Sequence, residues 1–306
     1  MKTVVRLFSF PVLLFLIICP LLFAEDLKSK KLSDNDYTAL KICERVIQLF
    51  KQFPDSVWPG YNLAQRPFIV YIPDRWALLF NYSKETDDFT SYPKDWPDLG
   101  TQVLFHSGQY KDLAGQLVFD FPIDTLKVAA VPLTGKSDVE LFAFIVHEAF
   151  HQYQGSSFGE IPWEREEKYP IQDSQNTALT YLEMRLLIDA LRASEKDQIR
   201  KCREYVKQFV AVRSYRWQNV DPFVAKYERG QEINEGTAKY AELKGISLVK
   251  ELEYKSSLAG LTSPLFEDFS FILMPEYLLA DFQARITDSS VSPEDMPRNR
   301  IYPVGA

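Results

Sequence analysis

Val146-His147-Glu148-Ala149-Phe150-His151-Gln152 contains the pattern H-E-x-x-H, and the reading of the whole chain turns on whether this stretch is helical. In an α-helix residues i and i+4 share a face, so His147 and His151 would present two imidazole nitrogens to one metal ion, with Glu148 beside it. Zinc is the ion such a pair suits. A catalytic zinc takes three protein ligands and keeps a fourth position for water, and the glutamate of the pattern serves as general base on that water. A third ligand has to come from elsewhere in the chain.

The flanking sequence favours a helix. In Ser137-Asp138-Val139-Glu140 a serine is followed three residues later by a glutamate, a capping box, so a helix is expected to start at Asp138 and to end at Gly155. Leu141 to Val146 is apolar on every side, while Phe142, Val146, Ala149, Phe150 and Tyr153 form a stripe turned away from the histidines. Polar groups in such surroundings cost roughly a few kcal/mol each when unpaired. Metal ligation would pair them; a purely hydrogen-bonded core arrangement is the alternative.

Before this helix the hydrophobic period changes once. Leu32 to Phe53 has helical spacing at Tyr37, Leu40, Ile42, Val46, Ile47, Leu49 and Phe50, with a cap expected among Asp34 to Asp36. After Val57-Trp58-Pro59-Gly60 come short runs rich in strand formers: Pro67 to Ile72, Trp76 to Phe80, Gln102 to Phe105, Gln116 to Phe119 and Lys127 to Val131. A small, mostly antiparallel sheet is expected there. Beyond the motif the pattern is helical again, over Asn176 to Ala193, Glu195 to Trp217, Asp221 to about Leu248, and Pro275 to Ile286. The fold class is therefore α+β, with a mostly helical C-terminal part.

Two carboxylates compete for the third position. Glu183 falls among Leu179, Leu186, Leu187 and Ala190 at helical spacing, so it lies in an apolar stripe and needs Arg213, Arg216 or a metal as partner. Glu235 stands in Asn234-Glu235-Gly236-Thr237-Ala238, where the small Gly236 and Ala238 would let this helix approach the H-E-x-x-H helix. A solvated acidic face is the other reading, since Glu228, Glu235 and Glu242 fall seven apart.

H-E-x-x-H followed by Asn-Glu-Gly-x-Ala resembles the zinc metallopeptidases of the gluzincin type. The resemblance covers these two motifs. It implies His147, His151 and Glu235 as metal ligands, Glu148 as general base, zinc as cofactor and a peptide or protein as substrate. An edge strand would then hold the substrate backbone by strand addition. Tyr240, Tyr153 and His106 are the candidates for steadying an oxyanion. The Gly-x-Met-Glu-Asn motif of the related aminopeptidases is absent, and Lys239 stands where the thermolysin-like pattern has aspartate. The alternative class is a non-catalytic exported metal-binding or interaction protein.

Composition bounds the partners. Thirty-five basic against 42 acidic residues give a net charge of −7, and no Lys/Arg cluster provides a phosphate-binding footprint, so nucleic acid is not expected as a partner. Lys2 and Arg6 precede an apolar run from Leu7 to Phe23, which reads as an export signal over residues 1–24, cleaved after Ala24. Residues 25–306 would then form one zincin-like unit, the sheet and motif helix in about 25–155 and helices in about 156–306, acting in the periplasm or outside the cell. An uncleaved membrane anchor is the alternative. Cys43 and Cys202 remain after cleavage, either bridged or as free thiols.

Overall fold

The computed structural model describes residues 32–110, 113, 118–133, 138–162, 164–254 and 304–305. The export segment, the serine expected to cap the motif helix and the helix expected over Pro275 to Ile286 lie outside them.

Helix α1 (Asp34–Gln52) opens the described chain. Its cap is Ser33 rather than an aspartate: the Ser33 hydroxyl accepts from Asp36 N at 3.2 Å, and the Asp36 carboxylate accepts from Ser33 N at 2.7 Å. The same Asp36, fully buried, takes both ends of the Arg75 guanidinium at 2.7 and 2.5 Å. Arg75 sits in the turn between β1 (Phe68–Ile72) and β2 (Trp76–Phe80), so one forked pair fixes this hairpin to the start of α1.

Four more strands complete the sheet: β3 (Thr90–Ser91), β4 (Val103–Ser107), β5 (Val118–Ile123) and β6 (Leu126–Pro132). Their order is β3-β4-β2-β1-β6-β5, antiparallel throughout except for β1 beside β6. The central strands are buried on both faces, which explains why Phe68 to Ile72 and Trp76 to Phe80 read as continuous apolar runs and not as alternation. On one face Phe68, Val70, Leu78, Phe80, Ala129 and Val131 meet helices α1 and α2 (Asp138–Ser157); on the other, Ile69, Ala77, Leu79 and Ala130 pack with Phe89, Tyr110 and Phe121. Cys43 is buried in the first of these cores and Cys202 lies in the helical segment Ile199–Asn219; both are free thiols.

The motif helix α2 runs two residues past Gly155, the expected stop. After it come α3 (Ser174–Glu195), α4 (Ile199–Asn219), α5 (Pro222–Gln231) and α6 (Thr237–Tyr254). The helix expected over Asp221 to Leu248 is interrupted: residues Glu232–Gly236 form one π turn between α5 and α6. Such a turn inserts a residue into the helical repeat.

A buried ionic cluster joins α3, α4 and α5. Arg216, wholly buried, spends its five N–H groups on Glu183 (2.5 and 3.0 Å), Glu228 (2.8 and 2.7 Å) and Asn176 (2.8 Å). Burial opposes its charge, but the two carboxylates outweigh this and hold it firmly protonated. Arg213 adds a bond to Glu183 at 3.2 Å. Glu183 is thus satisfied by arginines, one of the partners its sequence position called for. Glu183→Ala would leave Arg216 with half its charge partners in a dry interior, and is expected to cost about 3–5 kcal/mol of stability; the free energy of urea unfolding measures it.

Candidate metal centre

Helix α2 packs against α6, and part of its apolar stripe makes the contact. Val146 and Phe142 reach Gly245, where an added Cβ would stand 3.5 Å from Phe142. The expected point of approach, Gly236, faces elsewhere: a Cβ there would run into the backbone of Gly305. Ala238 is buried in the core shared with α2.

This packing brings His147, His151 and Glu235 to one point. Glu235 Oε2 lies 3.5 Å from His147 Nε2 and 3.6 Å from His151 Nε2. Glu148 stands alongside; its ligand atom and those of the two histidines all lie within 4.8 Å of one another, with Glu148 Oε2 4.0 Å from His151 Nε2. At His151 Nε2, Glu235 is therefore closer than Glu148. The solvated-face reading fails, because Glu228 and Glu235 are buried and the Glu242 side chain is only 14% exposed.

The far nitrogen of each imidazole is tied down. His147 Nδ1 lies 3.1 Å from Glu242 Oε2, and a carboxylate oxygen can only accept, so Nδ1 carries the proton. His151 Nδ1 lies 2.7 Å from Gln154 Oε1. The orientation of that amide is fixed by its nitrogen, which donates to the Ile233 carbonyl (3.1 Å), the Asn234 carbonyl (2.6 Å) and Thr237 Oγ1 (2.8 Å). Both Nε2 atoms thus turn toward Glu235. Asn234 Nδ2 donates to the other Glu235 oxygen at 3.3 Å.

The electrostatics favour a cation at this point. Burial works against a charged His147, yet Glu235 and Glu242 outweigh it and push its pKa up to about 9. Burial also opposes ionisation of Glu235, but the two histidines hold it well below the usual carboxylate range. Glu242 is lowered too, against its burial, by His147 and by Lys239, whose ammonium lies 2.5 Å from it. A proton on His147 Nε2 and a metal ion there would satisfy the same carboxylates. Glu148 differs: burial dominates and raises its pKa, and its buried Oε2 has no hydrogen-bond partner among the described residues.

Two imidazoles and a carboxylate are donor types that zinc takes, and two of their separations can be compared with its geometry. Ligand atoms about 2.0–2.1 Å from a tetrahedral ion stand roughly 3.3–3.5 Å apart, and the two nitrogen-to-oxygen separations here are 3.5 and 3.6 Å.

The oxyanion candidates have contacts of their own. Tyr153 donates its hydroxyl to the Pro59 carbonyl at 2.8 Å. Both ring nitrogens of His106, on β4, face backbone carbonyls, of Asp88 at 2.7 Å and Gln109 at 3.2 Å. Tyr240 packs edge-on against Trp58 with ring centroids 5.7 Å apart. Gln154 is not singled out from sequence, although it stands three residues beyond His151 on the same helical face, a spacing that could have flagged it. Glu242 enters the sequence reading only as part of an acidic face and here engages His147.

Comparison of the chain with protein-family models, with curated proteins and with solved structures returns no match. Among the described residues no helix is long and apolar enough to cross a membrane.

Gln154, 1% exposed, joins the motif helix to the π turn. Gln154→Leu would remove the tie to the Ile233 and Asn234 carbonyls, and a loss of about 1–3 kcal/mol is expected in chemical unfolding.

Proposed function

We propose that this chain is an exported zinc-dependent metallopeptidase, with His147, His151 and Glu235 as ligands and Glu148 as general base. One observation carries the reading: two imidazole Nε2 atoms and one carboxylate oxygen, from helices remote in sequence, converge at ligand spacing with each far nitrogen already engaged. Partners of this kind on the far nitrogens fix tautomer and ring orientation in metal sites.

A zinc ion so held supplies Lewis-acid polarisation of a carbonyl and acidifies water at neutral pH. Glu148 Oε2, unpaired and beside the histidines, takes the proton of the attacking water and later delivers it to the departing amine. Glu235 and Glu242 provide the negative charge that balances the cation. Strand β5, an edge of the sheet with α2 packed near it, is the place for an extended peptide to add.

Glu148→Gln is expected to keep its zinc and to lose about 10²- to 10⁴-fold in hydrolysis, read on a peptide library with metal content measured in parallel. His147→Ala and His151→Ala should lose the metal itself. A folded, zinc-loaded wild type that cleaves nothing in such a library would leave a non-catalytic metal-binding protein. The mass of the exported chain reports the leader: a mature form beginning near Glu25 is expected.

A further inference from the structure

The ligand Glu235 sits in a π turn, and π geometry is uncommon enough to need support from outside the helix. On the inner side Gln154 provides it, by holding the Ile233 and Asn234 carbonyls. On the outer side stands Arg213 of α4. Its guanidinium forks onto Glu232, the first residue of the turn, with Nη1 2.9 Å from Oε2 and Nη2 2.7 Å from Oε1. Both side chains are 13% exposed.

The fork is itself held in place. The guanidinium carbon of Arg213 lies 4.7 Å from the Phe209 ring centroid and 5.0 Å from that of Trp217, one turn before and one turn after it on α4. Its Nε donates to Glu183, which Arg216 grips on both oxygens. Trp217 Nε1 donates in turn to Glu228 at 2.7 Å. From α3 and α4 to the first residue of the turn there is one continuous set of charge-assisted bonds, ending three residues before the ligand.

We propose that Arg213 is a positioning residue for the metal: through Glu232 it fixes the π turn, and so sets where Glu235 meets the two histidines. This rests on the reading of Glu235 as a ligand. Arg213 touches no donor atom of the site, so its effect on metal binding must pass through the turn. Planarity is part of the device, because two parallel bonds define an orientation that a single ammonium contact does not.

The test is a Zn²⁺ titration of the purified chain against a competing chelator, with thermal unfolding of every variant. Arg213→Ala and Glu232→Gln are each expected to weaken zinc binding about 10- to 100-fold, the range for groups that orient ligands. The double variant should be no weaker than the worse single one, because both remove the same contact. Arg213→Lys should fall between wild type and Arg213→Ala. Ile42→Val, in the α1 core, should lower the unfolding temperature and leave zinc affinity unchanged. If Arg213→Ala and Glu232→Gln unfold earlier but bind zinc as wild type does, the positioning role is overturned and the metal centre stands. A wild type that takes up no Zn²⁺ overturns both.

Discussion

Each of the two motif histidines has its Nδ1 engaged by a side chain that has little freedom to move, and the rest of the site depends on this. Glu242 is held by Lys239 on its own helix, while Gln154 is held by three acceptors around the π turn. An imidazole with one nitrogen occupied has its other lone pair aimed by default. The burial of α2 between the sheet and α6 then decides where the two lone pairs point, and Glu235 occupies that point. Metal binding at such a place needs little rearrangement of side chains, which keeps the entropic cost of assembling the ligands low.

Two of the buried charge clusters among the described residues solve the same problem differently. In the α3–α4–α5 cluster, arginines neutralise the carboxylates permanently, and every donor of Arg216 is used. Around α2 and α6 the carboxylates are compensated by imidazoles, whose charge comes and goes with a proton. The first arrangement suits a scaffold and the second suits chemistry. Glu232 and Glu235, three residues apart, each belong to one of them.

Much of this was legible from sequence, for physical reasons that also explain the failures. The motif helix announced itself because burying Leu141 to Val146 together with a polar face leaves few alternatives. Glu183 could be matched to an arginine because an apolar stripe does not tolerate an unpaired carboxylate. The paired strands were visible as apolar runs, but the two-residue β3 carries no periodic signal. The expected range Asp34 to Asp36 contains Asp36, which closes the capping box from the third helical position, while the N-cap itself is Ser33 just before that range. A glycine at 236 implies close approach of something, but whether that is α2 or Gly305 is a tertiary property the sequence does not carry. The π turn left no trace, since hydrophobic spacing is compatible with one added residue when the packing on either side of it belongs to different neighbours.

That added residue has a consequence for how such a chain can change. Glu228, Glu235 and Glu242 are spaced by seven, so an uninterrupted α-helix would carry them nearly in line, at about 100° per residue. Here Glu228 serves the arginines while Glu235 and Glu242 serve the histidines. The turn works as a phase shifter between two lengths of helix that answer to different partners. Loss of one residue within 232–234 would preserve every helix-forming residue around it and still rotate one partner set by roughly a quarter turn or more against the other. In a lineage of such chains, length at this short stretch would be held more tightly than the identity of most side chains within it.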